Sequence, residues 1–167
     1  MKTEEPLGCL GTILKLLGIG PRADSKSLLP YQRRDWLLSA AERSFFGVLQ
    51  QAVAPEFLLF AKIRLADLLF IPRGSEGRQA AFNRIQSKHI DFVICDRDTI
   101  RPLIAIELDD SSHGRPSRRS RDEFVESALT AAQLPLLRVP VKKQYDVNVL
   151  KESVQKLLDA EIKPASG

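Results

Sequence analysis

Residues Asp91–Asp109 read DFVICDRDTIRPLIAIELD: two near-continuous apolar runs, Asp91–Cys95 and Leu103–Leu108, joined by the polar connection Asp96–Pro102. Each run has the length of a strand and is rich in Val, Ile and Leu. Neither shows the polar alternation of a half-exposed strand, so both are expected to be buried on two faces. The short connection makes them neighbours in one sheet, expected as a hairpin. Acids mark the ends of these runs. Asp91 opens the first, and Glu107 and Asp109 flank Leu108 at the end of the second. Side chains alternate across a strand, so Glu107 and Asp109 share a face, and pairing of the two strands lets Asp91 approach Glu107. Carboxylates crowded in this way repel one another unless a proton or a divalent cation intervenes. Hard oxygen ligands suit Mg²⁺ or Mn²⁺, which would keep several waters for phosphodiester chemistry. One acid at a strand end needs no explanation beyond contact with water. Asp91 together with Glu-x-Asp, all beside apolar runs, favours a metal site.

Outward from this pair, helices and strands alternate. Ser39-Ala-Ala-Glu42 has the form of a capping box, followed by Ala41, Phe45, Val48, Leu49 and Ala52 at helical spacing until Pro55. Phe57–Ile63 is a short apolar run of strand length, and Arg64–Ile71 continues it as a turn and a second extended piece. Pro72–Gly77 is a loop and Arg78–Lys88 a short basic helix. Ser111–Ser120, with Gly114 and Pro116, reads as a loop, after which Arg121–Gln133 is helical. Leu134–Val139 is another strand, and Val147, Leu150, Val154, Leu157, Leu158 and Ile162 mark a last amphipathic helix. The order predicts an α/β fold: a central mixed β-sheet flanked by helices on both faces.

Hydrophobic residues make up 44% and charged residues 28%, which excludes global disorder, and 167 residues suffice for one domain with loose ends. The expected domain spans 31–162, after a tail and linker at 1–30 and before a short tail at 163–167. A net charge of +4 is only weakly informative about polyanionic partners. Cys9 and Cys95 fall in a tail and a buried strand and show no ligand spacing with His89 or His113, so reduced thiols in a cytoplasmic protein are expected. Leu7–Ile19 (LGCLGTILKLLGI) is too short to span a bilayer, and Glu4 and Glu5 spoil the basic start of a signal peptide. The alternative to a poorly ordered tail is a short amphipathic helix lying on a membrane surface or a protein partner.

Basic residues flank the acids in the sequence. Arg115, Arg118, Arg119 and Arg121 cluster directly after Asp110-Ser-Ser-His113. A solvated charge run explains the arginines taken alone; their place beside the acids points to phosphate contacts. His113 is either a hydrogen-bonded loop residue or a proton donor beside the metal. Arg84, Lys88 and His89 precede Asp91. Lys88 either reaches the metal site or solvates a helix end. Glu42 is accounted for by its cap, and Tyr31 and Trp36 are expected to cover the core.

Several separate stretches, LLSAAERSFFGVLQQAV, FAKIRLADLL, AFNRIQSKHIDFVICD, AIELDDSSH, RSRDEFVESAL and LPLLRVP, together resemble a bacterial domain-of-unknown-function family, DUF2726. That family is similar to the PD-(D/E)XK restriction-endonuclease-like superfamily, and to the very-short-patch-repair endonucleases, in which a histidine follows Glu-x-Asp. The resemblance runs from about residue 37 to 158 and implies a restriction-endonuclease-like core of helix, three strands, helix and strand, plus a C-terminal helix. It implies that Asp91 is the first metal-binding acid and Glu107 the acid of the (D/E)-x-K motif. Asp109 stands where that motif carries lysine, which leaves His113 or Lys88 to replace it.

The expected activity is therefore Mg²⁺- or Mn²⁺-dependent hydrolysis of DNA. Asp91, Glu107 and Asp109 would be metal ligands, His113 or Lys88 would assist, Arg84, Arg115, Arg118, Arg119 and Arg121 would hold nucleic acid, and no small-molecule cofactor is expected. The alternatives are a catalytically inactive nucleic-acid-binding module with the same fold, and an interaction domain tethered through Leu7–Ile19.

Overall fold

The computed structural model describes residues 29–53, 55–109 and 116–162, without the side chains of 116–119 and 161–162. The chain divides into two units, Met1–Asp35 and Trp36–Gly167. Of the first unit only residues 29–35 are described, and they contain no helix or strand. Leu7–Ile19, Cys9, His113 and Arg115 all lie outside the described residues. Among the described residues, no helix is long and apolar enough to cross a membrane.

The second unit runs α1 (Ala40–Val53), β1 (Phe57–Arg64), α2 (Leu65–Leu68), α3 (Arg78–Ile85), β2 (His89–Asp96), β3 (Pro102–Asp109), α4 (Pro116–Ala131), β4 (Leu136–Pro140) and α5 (Val147–Ile162). It is an α/β fold around a four-stranded sheet of order β1-β2-β3-β4. β2 and β3 form the expected antiparallel pair, with Phe92 opposite Ile106 and Ile94 opposite Ile104. β1 is antiparallel to β2, whereas β4 runs parallel to β3. A parallel return needs a crossover, and α4 provides it.

Each face of the sheet carries its own core. On one, Phe92, Ile94, Ile104 and Ile106 pack against Phe45 and Leu49 of α1 and Leu150, Val154 and Leu158 of α5. Spacings of three and four residues put these helical side chains on single stripes. On the other, Val93, Cys95 and Ala105 meet Leu65 of α2, Ile85 of α3, and Val125 and Leu129 of α4. Coverage on both sides explains why the two central strands carry hardly any polar positions. Cys95 is a buried free thiol that burial makes harder to ionise, so it is a packing residue rather than a reactive one.

Three expectations need correction. The turn expected within Arg64–Ile71 is a single helical turn, Leu65–Leu68, and no second strand follows it there. Pro116 does not exclude helix: α4 begins there, five positions earlier than Arg121, because proline's fixed φ and missing N–H are harmless in a first turn. Arg118, Arg119 and Arg121 accordingly sit on a helix rather than in a loop. Trp36 is exposed and carries the Arg43 guanidinium 4.5 Å from its ring centroid, instead of covering the core.

Candidate active site

β1 and β2 pair residue for residue until Ala61 opposite Phe92, and again at Ile63 opposite Ile90; the ladder skips Lys62 and Asp91 between them. At this point both strands change face. Ala61 and Phe92 belong to the core under α1 and α5, and Ile63 and Ile90 to the core under the other helices. Lys62 makes the turn possible by adopting a left-handed backbone, φ 58°, a region that costs a side-chain-bearing residue of this kind about 1 kcal/mol or more. Its ammonium lies 3.2 Å from Asp91 Oδ1. The other carboxylate oxygen, Oδ2, accepts the Leu108 N–H at 3.0 Å. The β2–β3 ladder itself ends at Phe92 opposite Ile106, so Asp91 uses its side chain to bridge two strands that have stopped pairing.

Glu42 completes this arrangement from α1. Its Oε2 accepts the Ser39 N–H at 2.8 Å while Ser39 Oγ accepts the Glu42 N–H at 3.3 Å, the reciprocal capping box anticipated above. The remaining oxygen, Oε1, accepts a hydrogen bond from Lys62. One carboxylate thus both caps the helix and helps fix the lysine. Burial opposes the Glu42 charge, yet the bonds from Lys62 and Ser39 outweigh it and hold the carboxyl below its ordinary value. Burial likewise opposes the Lys62 charge, and the two carboxylates outweigh it, raising the amine above its ordinary value. Lys62 is therefore a fixed positive charge at neutral pH and has no capacity to accept a proton.

Glu107 sits on β3, and among the described residues no hydrogen bond or ion pair compensates its charge. Burial, followed by the Asp91 charge, pushes its carboxyl up to about 7, against the weaker opposing pull of Arg121 and Arg138. Arg138 lies directly across from Glu107 on β4, but its guanidinium is engaged elsewhere. It donates to Asp109 Oδ1 at 3.0 Å and to the Asp122 carbonyl at 3.3 Å, and lies 3.7 Å from Glu126. Asp109 is thus ion-paired and nearly half exposed, whereas Glu107 feels the Asp91 charge.

A divalent cation fits Asp91 and Glu107 in kind. Both offer hard oxygens, each Asp91 oxygen keeps a second lone pair, and Glu107 is a partly buried carboxyl that makes no ion pair among the described residues. Among the described residues there is no cluster of three or more His, Cys, Asp or Glu able to hold a metal ion. A cation held here would accordingly retain most of its coordination as water, the habit of Mg²⁺.

Residues 34–157 match the family described as "Protein of unknown function (DUF2726)". The chain belongs to that family. The DUF2726 match takes in Glu42, Lys62, Asp91, Glu107 and Asp109 together, so the whole constellation lies within the family's span. No curated protein and no solved structure matches the chain.

The remaining sequence candidates in this DUF2726 chain separate from the acids. Lys88 donates to the Arg84 carbonyl at 2.5 Å and stands over the Phe124 ring, 4.9 Å from its centroid. Arg84 covers the same ring at 4.0 Å. Arg121 is exposed but close enough for its charge to act on Glu107. Nothing in the residue pattern singled out Lys62. A lone lysine in an apolar strand covered on two faces does demand a counter-charge, and that was the available signal.

Proposed function

We propose that this chain is a divalent-cation-dependent nuclease that hydrolyses the phosphodiester backbone of DNA, related to the PD-(D/E)XK enzymes. The observation that carries the proposal is Lys62, fixed between Glu42 and Asp91 at the step the β1–β2 ladder skips, with Asp91 the acid whose charge in turn acts on Glu107. A lysine beside two acids is what the (D/E)-x-K motif supplies. Here the motif's lysine position is Asp109, and a cation from β1 stands in for it.

Asp91 and Glu107 would hold Mg²⁺ or Mn²⁺. The ion, when bound, would supply a Lewis acid for a phosphodiester oxygen. Lys62 would offset negative charge on the phosphate, and its protonated state excludes it as the base. Glu42 would position Lys62, and Arg138 would keep Asp109 aside. Lys88, turned onto Phe124, leaves the lysine role to Lys62. His113 retains the proton-transfer role suggested by its place after the acids.

A second reading, an inactive nucleic-acid-binding module, is favoured by the Asp109–Arg138 pair, which removes one acid from the cluster. The two are separated by incubating plasmid and single-stranded DNA with Mg²⁺ or Mn²⁺ and the wild type, Asp91→Ala or Glu107→Ala. Cation-dependent cleavage by the wild type alone is expected. Equal background from all three, with salt-sensitive DNA binding retained by Asp91→Ala, would establish the inactive module instead.

A further inference from the structure

A groove of about 350 Å³ between α3 and α4 is lined by Arg84, Ser87, Lys88, Ser120, Arg121 and Phe124. Three of these six residues are cationic. Among the described residues, none of the three is ion-paired to a carboxylate. Arg84 and Lys88 are instead gathered over the one Phe124 ring, at 4.0 and 4.9 Å from its centroid. A ring quadrupole attracts both cations without neutralising either, so two like charges are held at one ring with their capacity for an anion unspent. The serine hydroxyls add neutral donors. With its ring occupied by cations, Phe124 is not a platform for stacking a nucleobase, and the groove offers charge and hydrogen bonds in place of an aromatic surface. The adjoining hollow, which shares Arg84, Ser120 and Phe124, also includes Glu123 and is less positive. Arg121 links the groove to the acids, because its charge acts on Glu107.

We propose that this groove is a clamp for the phosphodiester backbone of a nucleic-acid strand, gripping phosphates through Arg84 and Lys88 as organised by Phe124. The proposal shares its ligand with the nuclease reading but needs neither a metal nor cleavage. Phosphate contacts position a strand without reading its sequence, so binding should be indifferent to base order and steeply dependent on salt.

The test is fluorescence anisotropy of fluorescein-labelled duplex DNA with the full chain in EDTA, across a KCl series. Arg84→Gln/Lys88→Gln should lower the slope of log affinity against log salt by about 2, one per lost phosphate contact, and do so equally for unrelated sequences. Phe124→Leu should weaken binding about fivefold by releasing the cations, and Phe124→Tyr should restore it because the ring is kept. Thermal melts followed by circular dichroism distinguish a lost clamp from a lost fold, and the charge variants, at exposed or half-exposed positions, keep the test decisive should Phe124→Leu unfold. A wild-type slope in the double variant overturns the proposal. So does DNA binding abolished by low inorganic phosphate, which would make the groove a site for the free ion. Cleavage with Mg²⁺ is scored separately. A wild-type slope in a variant that cleaves sinks the clamp and spares the nuclease; a reduced slope with no cleavage by any protein does the reverse.

Discussion

Lys62 Nζ lies 3.2 Å from Asp91 Oδ1, across the single step at which the β1–β2 ladder leaves both residues unpaired. Two features of the fold converge there. The left-handed backbone of Lys62 swaps the faces of β1, and the Asp91 carboxylate replaces a missing ladder bond by accepting the Leu108 N–H. An unfavourable backbone conformation persists only where surrounding contacts over-determine it. Here the contacts are the two carboxylates that hold the ammonium.

The left-handed conformation at position 62 can be isolated from the ion pair. Lys62→Ala and Lys62→Gly both remove the ammonium, but only glycine adopts φ near 58° without a steric penalty. Lys62→Gly should therefore be more stable than Lys62→Ala by about 1 kcal/mol in urea unfolding. Cleavage should be lost in both. Equal stability of the two variants would mean that the backbone at 62 is not left-handed in solution.

Glu107 carries a pH signature of known sign. Its carboxyl has an ordinary value of 4.5 and is pushed to about 7 in the folded chain, chiefly by burial and then by Asp91. Below 4.5 both states are protonated and the group is neutral to stability. Between 4.5 and 7 the unfolded chain releases the proton while the folded chain keeps it, so stability falls as pH rises and levels off above 7. The full penalty is on the order of 3 kcal/mol. Glu107→Gln should consequently match the wild type near pH 4 and exceed it at pH 8 in urea melts. Saturating Mn²⁺ should raise the wild-type melting temperature at pH 8 and leave Glu107→Gln unmoved, since a carboxylate is the ligand and an amide is not.

The parts of this site that follow from periodicity were legible in the sequence. Continuous apolar runs placed β2 and β3 side by side, and the regular β3–β4 register keeps Glu107 and Asp109 two residues apart on one face. The capping box of Ser39 and Glu42 was equally readable. Lys62 was not, because lysine has no preference for positive φ, and its place opposite Asp91 exists only once the β1–β2 register is set. The second use of Glu42 was hidden for the same reason: a helix cap fully explained the residue locally, while Lys62 is twenty positions away. Lys88, adjacent in sequence to β2, was the more obvious lysine, but its four-residue spacing from Arg84 carries it onto α3 and Phe124 instead.

Asp109 should behave differently from the other acids. Its carboxylate is paired with Arg138 at 3.0 Å in a partly exposed setting, an arrangement worth at most about 1 kcal/mol. Asp109→Asn should shift the urea midpoint little and leave Mn²⁺ affinity, measured by calorimetric titration, near wild type. Glu107→Ala should abolish Mn²⁺ binding. Loss of the ion in Asp109→Asn as well would show that Asp109 leaves Arg138 to become a ligand.

The two roles of Glu42 can be separated by one variant at each end of its hydrogen bonds. Ser39→Ala removes the hydroxyl that caps α1 and should cost about 1 kcal/mol of stability, while Glu42 Oε1 remains on Lys62 and cleavage continues. Glu42→Gln keeps a side chain that the capping box accepts, yet exchanges a charge-assisted bond to Lys62 for a neutral one. Its stability should change less than that of Ser39→Ala, while kcat falls about tenfold or more as Lys62 loses its fixed position. A merely structural Glu42 predicts the opposite ranking, with activity following stability in both variants. Thermal melts and single-turnover cleavage of the same preparations decide between them. The charge effect adds its own check: with Glu42 neutral, Lys62 loses one of the two carboxylates that raise its amine, so the alkaline limb of the cleavage profile should move to lower pH in Glu42→Gln and stay in place in Ser39→Ala.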